Sequence, residues 1–134
     1  RQWLNGQFLD SLGQPLASQV LRTKVVNKPN PVWRTPGGND TDDQVFLLSM
    51  EEAAHWLTEK RPRWMRYSDR RFRSDKLIAK TEEDVRAWWW LRSPGYDPDS
   101  VADVDYGGNL DDFGYGTSAS SGGVRPAFWL NLES

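Results

Sequence analysis

The chain has 134 residues, no cysteine, 27% charged side chains and a formal net charge of −2. That length predicts a single domain able to bury a real core, and the lack of cysteine excludes disulfides, thiolate metal sites and cysteine nucleophiles. No run approaches the roughly eighteen apolar residues that a membrane-crossing helix needs, so no membrane insertion is expected.

Eight tryptophans imply that large aromatics supply much of the buried surface. In chain order, Gln2 to Leu9 reads as a short helix, since Trp3, Leu4, Phe8 and Leu12 recur three or four apart. Gly13 is its expected stop. Val20 to Val26 is rich in β-branched residues and predicts a strand. Asn27 to Asp43 reads as loop, interrupted by Pro29, Pro31, Pro36, Gly37 and Gly38. Val45 to Leu48 is a short apolar run expected as a buried strand. Ser49 then caps a helix ending near Lys60, Glu52 completes a capping box, and Ala53, Trp56 and Leu57 form the apolar side.

Residues 60–73 hold seven bases against Asp69, interleaved with Trp64, Tyr67 and Phe72. This is the one stretch of nucleic-acid-like composition. A solvated face whose arginine stems cover aromatic rings explains it more simply, so nucleic acid is not an expected partner.

Thr81 to Asp84 predicts a turn or helix start, and Val85 to Leu91 a strongly aromatic strand. Trp88, Trp89 and Trp90 must alternate faces in a strand, and a sheet covered on both sides accommodates all three. Val101 to Val104 and Gly108 to Leu110 are short candidate strands. Val124 to Leu132 is expected to close the sheet, with Pro126 near its beginning, where a missing N–H is tolerable. The expected core is Trp3, Phe8, Phe46, Leu48, Trp56, Trp89, Leu91, Val124, Phe128 and Leu130.

Charge is distributed unevenly. Residues 1–92 sum to +4, whereas residues 93–124 hold six Asp and no base. That stretch also lacks Glu, Gln, His, Met and Trp, and mixes Asp with Tyr, Ser and Gly. Rigid amphipathic aromatics beside small polar groups resemble a recognition surface, although the same residues also make turns.

Signals for catalysis are sparse. His55 is the sole histidine, so a Ser-His-Asp arrangement and a soft metal site lack their parts. Asp103 to Asp111 superficially resembles a calcium loop but lacks the terminal Glu. No catalytic residue, metal or cofactor is expected, and the chain is not expected to be an enzyme.

Four motifs in order carry a resemblance: Arg1-Gln2-Trp3-Leu4-Asn5 with Phe8; Asp40 to Ser49 followed by Glu51 and Glu52; Trp89-Trp90-Leu91-Arg92-Ser93-Pro94-Gly95; and Gly123-Val124-Arg125-Pro126-Ala127. In this order the chain resembles a bacterial and phage domain of uncharacterised function. That domain is itself similar to the C-type-lectin-like fold of formylglycine-generating enzymes and of the variable proteins of diversity-generating retroelements. The resemblance implies an α+β fold with two helices, a small twisted antiparallel sheet and long loops. It implies one domain over 1–134, with residues 1–87 as a scaffold half and 88–134 as anchor strands around a variable surface, and with N-terminal strands missing. The copper-dependent oxidation of enzymatic members needs cysteines and does not carry over.

The variable-protein branch implies something more. Mutagenesis at template adenines, chiefly in Asn codons, can yield Tyr, Asp, Ser, Gly, Phe or Thr but never Lys, Glu, Gln, Met or Trp. Residues 95–122 obey that restriction. The implied ligand-binding positions are Tyr96, Asp97, Asp99, Ser100, Asp103, Asp105, Tyr106, Asp111, Asp112, Phe113, Tyr115 and Ser118. Val101, Ala102, Val104, Gly108 and Leu110 are the implied scaffold. Trp89, Trp90, Arg92, Arg125 and Trp129 are structural anchors, the arginines bracing loops through backbone carbonyls or an Asp. The function so implied is binding of a protein or glycan target on another cell or virion, from a phage tail or a bacterial surface. A carbohydrate-binding module, a phage-tail structural domain and a carboxylate-based hydrolase are the alternatives.

Overall fold

The first element shows how spacing selects a face. In a computed structural model, which describes residues 1–58 and 74–133, a π-helical turn Leu4–Phe8 runs directly into α1 (Leu9–Ser11). The wider π repeat sets Leu4 and Leu9 on one buried side and leaves Trp3 exposed, contrary to its expected place in the core. Gly13 stops the helix in the left-handed region, at φ +70°. Helix α2 (Leu16–Gln19) follows, a short element that apolar spacing did not predict.

β1 (Thr23–Val25) is the core of the predicted Val20–Val26 strand. It pairs antiparallel with β2 (Thr41–Asp43), which sequence reading assigned to loop. Val45–Leu48 is buried at Val45 and Phe46 but is not a strand; it makes a single bridge, Phe46 with Ala127. Ser49 caps α3 (Met50–Leu57), and the reciprocal capping box with Glu52 is present. The helix ends at Leu57, earlier than expected, and turns Met50, Ala53 and Ala54 inward. Trp56 lies outside, edge-on to Trp129 at 5.7 Å, because the helical period groups Met50, Ala53, Ala54 and Leu57 on one face and carries Trp56 past it. Lys60 and the basic stretch 60–73 lie outside the described residues.

After a 3-10 turn Asp75–Leu77, β3 (Ala79–Lys80) and β4 (Arg86–Ala87) form a small hairpin around the predicted Thr81–Asp84 turn. The expected Val85–Leu91 strand is therefore broken at Trp88. β5 (Trp89–Pro94), β6 (Ser100–Val104) and β7 (Leu110–Gly116) make the main antiparallel sheet, with β6 central. Val124–Leu132 is not a closing strand. It is held by isolated bridges from Gly123, Ala127 and Leu130 to Trp89, Phe46 and Val20. Those partners belong to different segments, and Pro126 has no N–H for a ladder. Val124 and Leu130 consequently stay at the surface rather than in the core.

The chain is thus α+β, and its hydrophobic interior has two parts. Met50, Ala53 and Ala54 of α3 pack with Leu77 on Trp89, Leu91, Ala102, Val104 and Leu110 of the sheet. Leu4, Leu9, Val20 and Val45 form a second cluster, joined by Phe8 and Phe128. Asn5 ties the helical start to that region: its amide accepts from the Gln44 and Val45 amides and donates to the Val45 carbonyl. No helix among the described residues is long and apolar enough to cross a membrane.

Candidate functional site

Along β6 the alternation of side chains sends Ala102 and Val104 to the α3 core and Asp103 to the other face. Trp88 and Trp90 line that second face, 4.7 Å apart between ring centres, and Tyr115 covers Trp88 at 4.5 Å. The loop at Ser121–Gly123 closes over them: the Trp88 indole donates to Ser121 Oγ, and a Cβ at Gly122 would overlap the Trp88 ring. All three tryptophans fit because both faces are covered.

Asp103 is fully buried beneath this cover, opposite Trp90 on β5 and Asp111 on β7. As a carboxylate it finds no donor for either oxygen; as the acid it can donate to Asp111. Burial, that hydrogen bond, and the charges of Asp111 and Asp105 push its pKa up to about 9. Asp103 is therefore a neutral acid at pH 7. Burial and the same acidic surroundings also raise the Tyr115 phenol.

Several other aspartates build turns. Asp105 Oδ1 accepts from the Gly107 and Asn109 amides at the β6–β7 turn, and Asp111 Oδ1 accepts from the Phe113 and Gly114 amides. Gly114 sits at φ +81° against the Val101 carbonyl, where a side chain has no room. Ser100 Oγ accepts from the Asp97 amide, and Asp97 Oδ1 from the Asp99 amide. Ser100, Asp103, Asp111 and Asp112 are buried, which corrects their assignment to a ligand-binding surface. Bulges interrupt the register of β5 with β6 and of β6 with β7, so strict alternation does not say which of them point inward.

What the stretch does expose is aromatic. Tyr96, Tyr106, Phe113 and Tyr115 are 43%, 51%, 44% and 44% exposed, while Ala102, Val104, Gly108 and Leu110 are buried, as a scaffold requires. Asp99 and Ser118 are exposed, and Asp97, Asp105 and Val101 half-buried. Tyr96 and Phe113 stack in parallel, centres 3.9 Å apart. Trp33 meets both edge-on, at 6.4 and 5.9 Å, and is itself 48% exposed. Its indole N–H donates to Asp112 Oδ1 at 2.9 Å. A hydrogen bond to Asp97, and the charges of Asp97 and Asp99, raise the Tyr96 phenol above its ordinary value.

Sequence reasoning missed Trp33, which lies in the proline-rich loop before β2. Asn30 places it. Fully buried, Asn30 donates to the carbonyls of Pro94 and Asp112 and accepts from the amides of Val32 and Trp33. Every hydrogen-bonding site of that amide is engaged. A tryptophan two residues after Pro31 in a proline-rich loop was the available signal.

The anchors behave as braces. Arg92 pairs with Glu52 and donates to the carbonyls of Leu47 and Val26 and to Asn27 Oδ1. Burial opposes the charge on Glu52, but Arg92 and the Ser49 amide outweigh it and hold its carboxyl below the usual range. Arg125 donates to the Lys76 carbonyl and lies 4.6 Å over the buried Trp89 ring, and burial lowers its pKa. Trp90 is half-buried; Trp129 is half exposed and borders a cleft of about 350 Å³ with Lys24, Lys28, Glu51 and Arg92. Among the described residues no three acidic or histidine side chains converge to hold a metal ion.

A family model described as "Domain of unknown function (DUF6273)" matches residues 1–132. The chain belongs to that family. No curated protein and no solved structure matches it. In this DUF6273 domain the exposed aromatics around Trp33, Tyr96 and Phe113 are the strongest candidate for a functional surface.

Proposed function

We propose that this domain is a binding module with a C-type-lectin-like frame, whose recognition surface is residues 96–118 joined by Trp33. The observation that carries the reading is the separation of roles in that stretch. Exposed Tyr96, Tyr106, Phe113 and Tyr115 stand on a scaffold of buried small and apolar residues and turn-making aspartates. Half-exposed aromatics on a rigid frame are typical of recognition centres. The carboxyl pair Asp103–Asp111, which a hydrolase would need in an open cleft, is sealed under Trp88, Trp90 and Tyr115. Its burial favours binding over catalysis.

The restricted residue alphabet of 95–122 supports diversification by a retroelement, for display to protein or glycan targets on another cell or virion. Sequencing the DNA around the gene tests this. The expected finding is a near-copy of the segment encoding 88–132 beside a reverse transcriptase, differing at adenines. The differences should fall in the codons of Tyr96, Asp97, Asp99, Tyr106, Phe113, Tyr115 and Ser118, and spare the buried Asp103, Asp111 and Asp112. Absence of any such copy reduces the reading to a static binding surface.

A further inference from the structure

Resting on that binding reading, we propose that the Trp33–Tyr96–Phe113 cluster and its carboxylate rim form a receptor for an arginine or lysine side chain of a protein partner. The platform is continuous, with Trp33 set edge-on against a stacked Tyr96–Phe113 pair. Ring faces attract cations through their quadrupoles, most strongly at tryptophan and tyrosine. Asp97 and Asp99 border Tyr96, and both charges act on its hydroxyl. Of the six Asp in 93–124, Asp103, Asp111 and Asp112 are buried, so the charge at this rim is that of Asp97 and Asp99, with no base in the stretch.

The sign of the surface is therefore set, and it is one that a basic group completes. Among the described residues, five of the ten Lys and Arg side chains form ion pairs elsewhere, and Arg34, which follows Trp33, is exposed. Arg1, Lys24, Lys28, Lys80 and Arg92 pair with Asp43, Asp40, Glu51, Asp84 and Glu52. Among the described residues, the cation–π contacts fall on Phe46 and Trp89. No described Lys or Arg pairs with Asp97 or Asp99. A neutral sugar ring would use the same faces but would leave the carboxylates without a counter-charge.

The test is titration of the isotope-labelled domain with tetra-arginine and a neutral tetrasaccharide, followed through the Trp33 indole N–H resonance, with Kd fitted from backbone amide shifts so that it can also be read in a variant lacking Trp33. Tetra-arginine should shift that resonance, and the shift should fade at high salt. Trp33→Ala should weaken binding about tenfold. The pair Asp97→Asn and Asp99→Asn keeps the turn acceptor at 97; it should weaken binding several-fold and flatten its salt dependence. Arginine binding that ignores both variants overturns the proposal, as does silence of the Trp33 signal. If the tetrasaccharide alone moves Trp33, the basic-side-chain assignment falls and the binding reading stands.

Discussion

Asp103 is where composition and structure diverge most. Six aspartates in 93–124 looked like one acidic surface, yet the residues split into rim, turn and interior. Composition cannot separate these, because Asp serves each: as a charge in water, as a backbone-capping acceptor, or, protonated, as a buried donor. Asp103 holds its proton in the folded state up to about pH 9, against an ordinary value of 3.8. Between those values unfolding releases a proton, so the contribution of this group to stability falls as pH rises, and levels off above the folded pKa. Asp103→Asn keeps a donor for Asp111 and removes the titration. The variant should gain on the parent as pH rises, with a flatter dependence of Tm on pH between about 5 and 9. Thermal melts across that range decide it; an unchanged slope would mean Asp103 does not titrate.

At the scale of elements, local signals were legible and distant ones were not. Ser49 and Glu52 are three residues apart, and their capping box could be read directly. The strand β6 and the position of Gly13 could be read as well, and β5 only over Trp89–Leu91. Asn30 could not: its amide reaches carbonyls 64 and 82 residues away, and nothing in the neighbouring sequence encodes that reach. The same holds for Trp33, which joins the surface only because Asn30 docks its loop. Asn30→Ala should cost about 3 kcal/mol, since it orphans several buried backbone groups together. In a urea titration this should appear as a lower midpoint, and the mutant should lose the Trp33 contact with Tyr96 and Phe113. A change below about 0.5 kcal/mol would remove Asn30 from this role.

For the whole molecule, Arg92 joins four segments through one guanidinium: the end of β1, the Val45–Leu48 stretch, α3 and the main sheet. Its WWLRSPG motif was visible as an anchor, but its acidic partner proved to be Glu52 rather than an aspartate. The helix cap and the sheet are thereby locked through one carboxylate. Arg92→Ala leaves Glu52 half-buried without its counter-ion, and should cost about 3 kcal/mol. Because Glu52 is held below its ordinary pKa, the pair contributes above the unfolded value and is lost as pH falls through the folded one. The gap in stability between parent and variant should accordingly shrink in acid; a gap independent of pH would mean the loss is one of packing alone.

The C-terminal segment, tied by separate single bridges at Gly123, Ala127 and Leu130, has a mechanical consequence. A ladder loaded along its strands shares force among all its rungs, whereas isolated ties loaded from one end bear it in turn. Tension applied at the C-terminus would part Leu130 from Val20 first, then Ala127 from Phe46, and reach Trp89 last. The sheet that carries the exposed aromatics would still be folded when the tail had already peeled away.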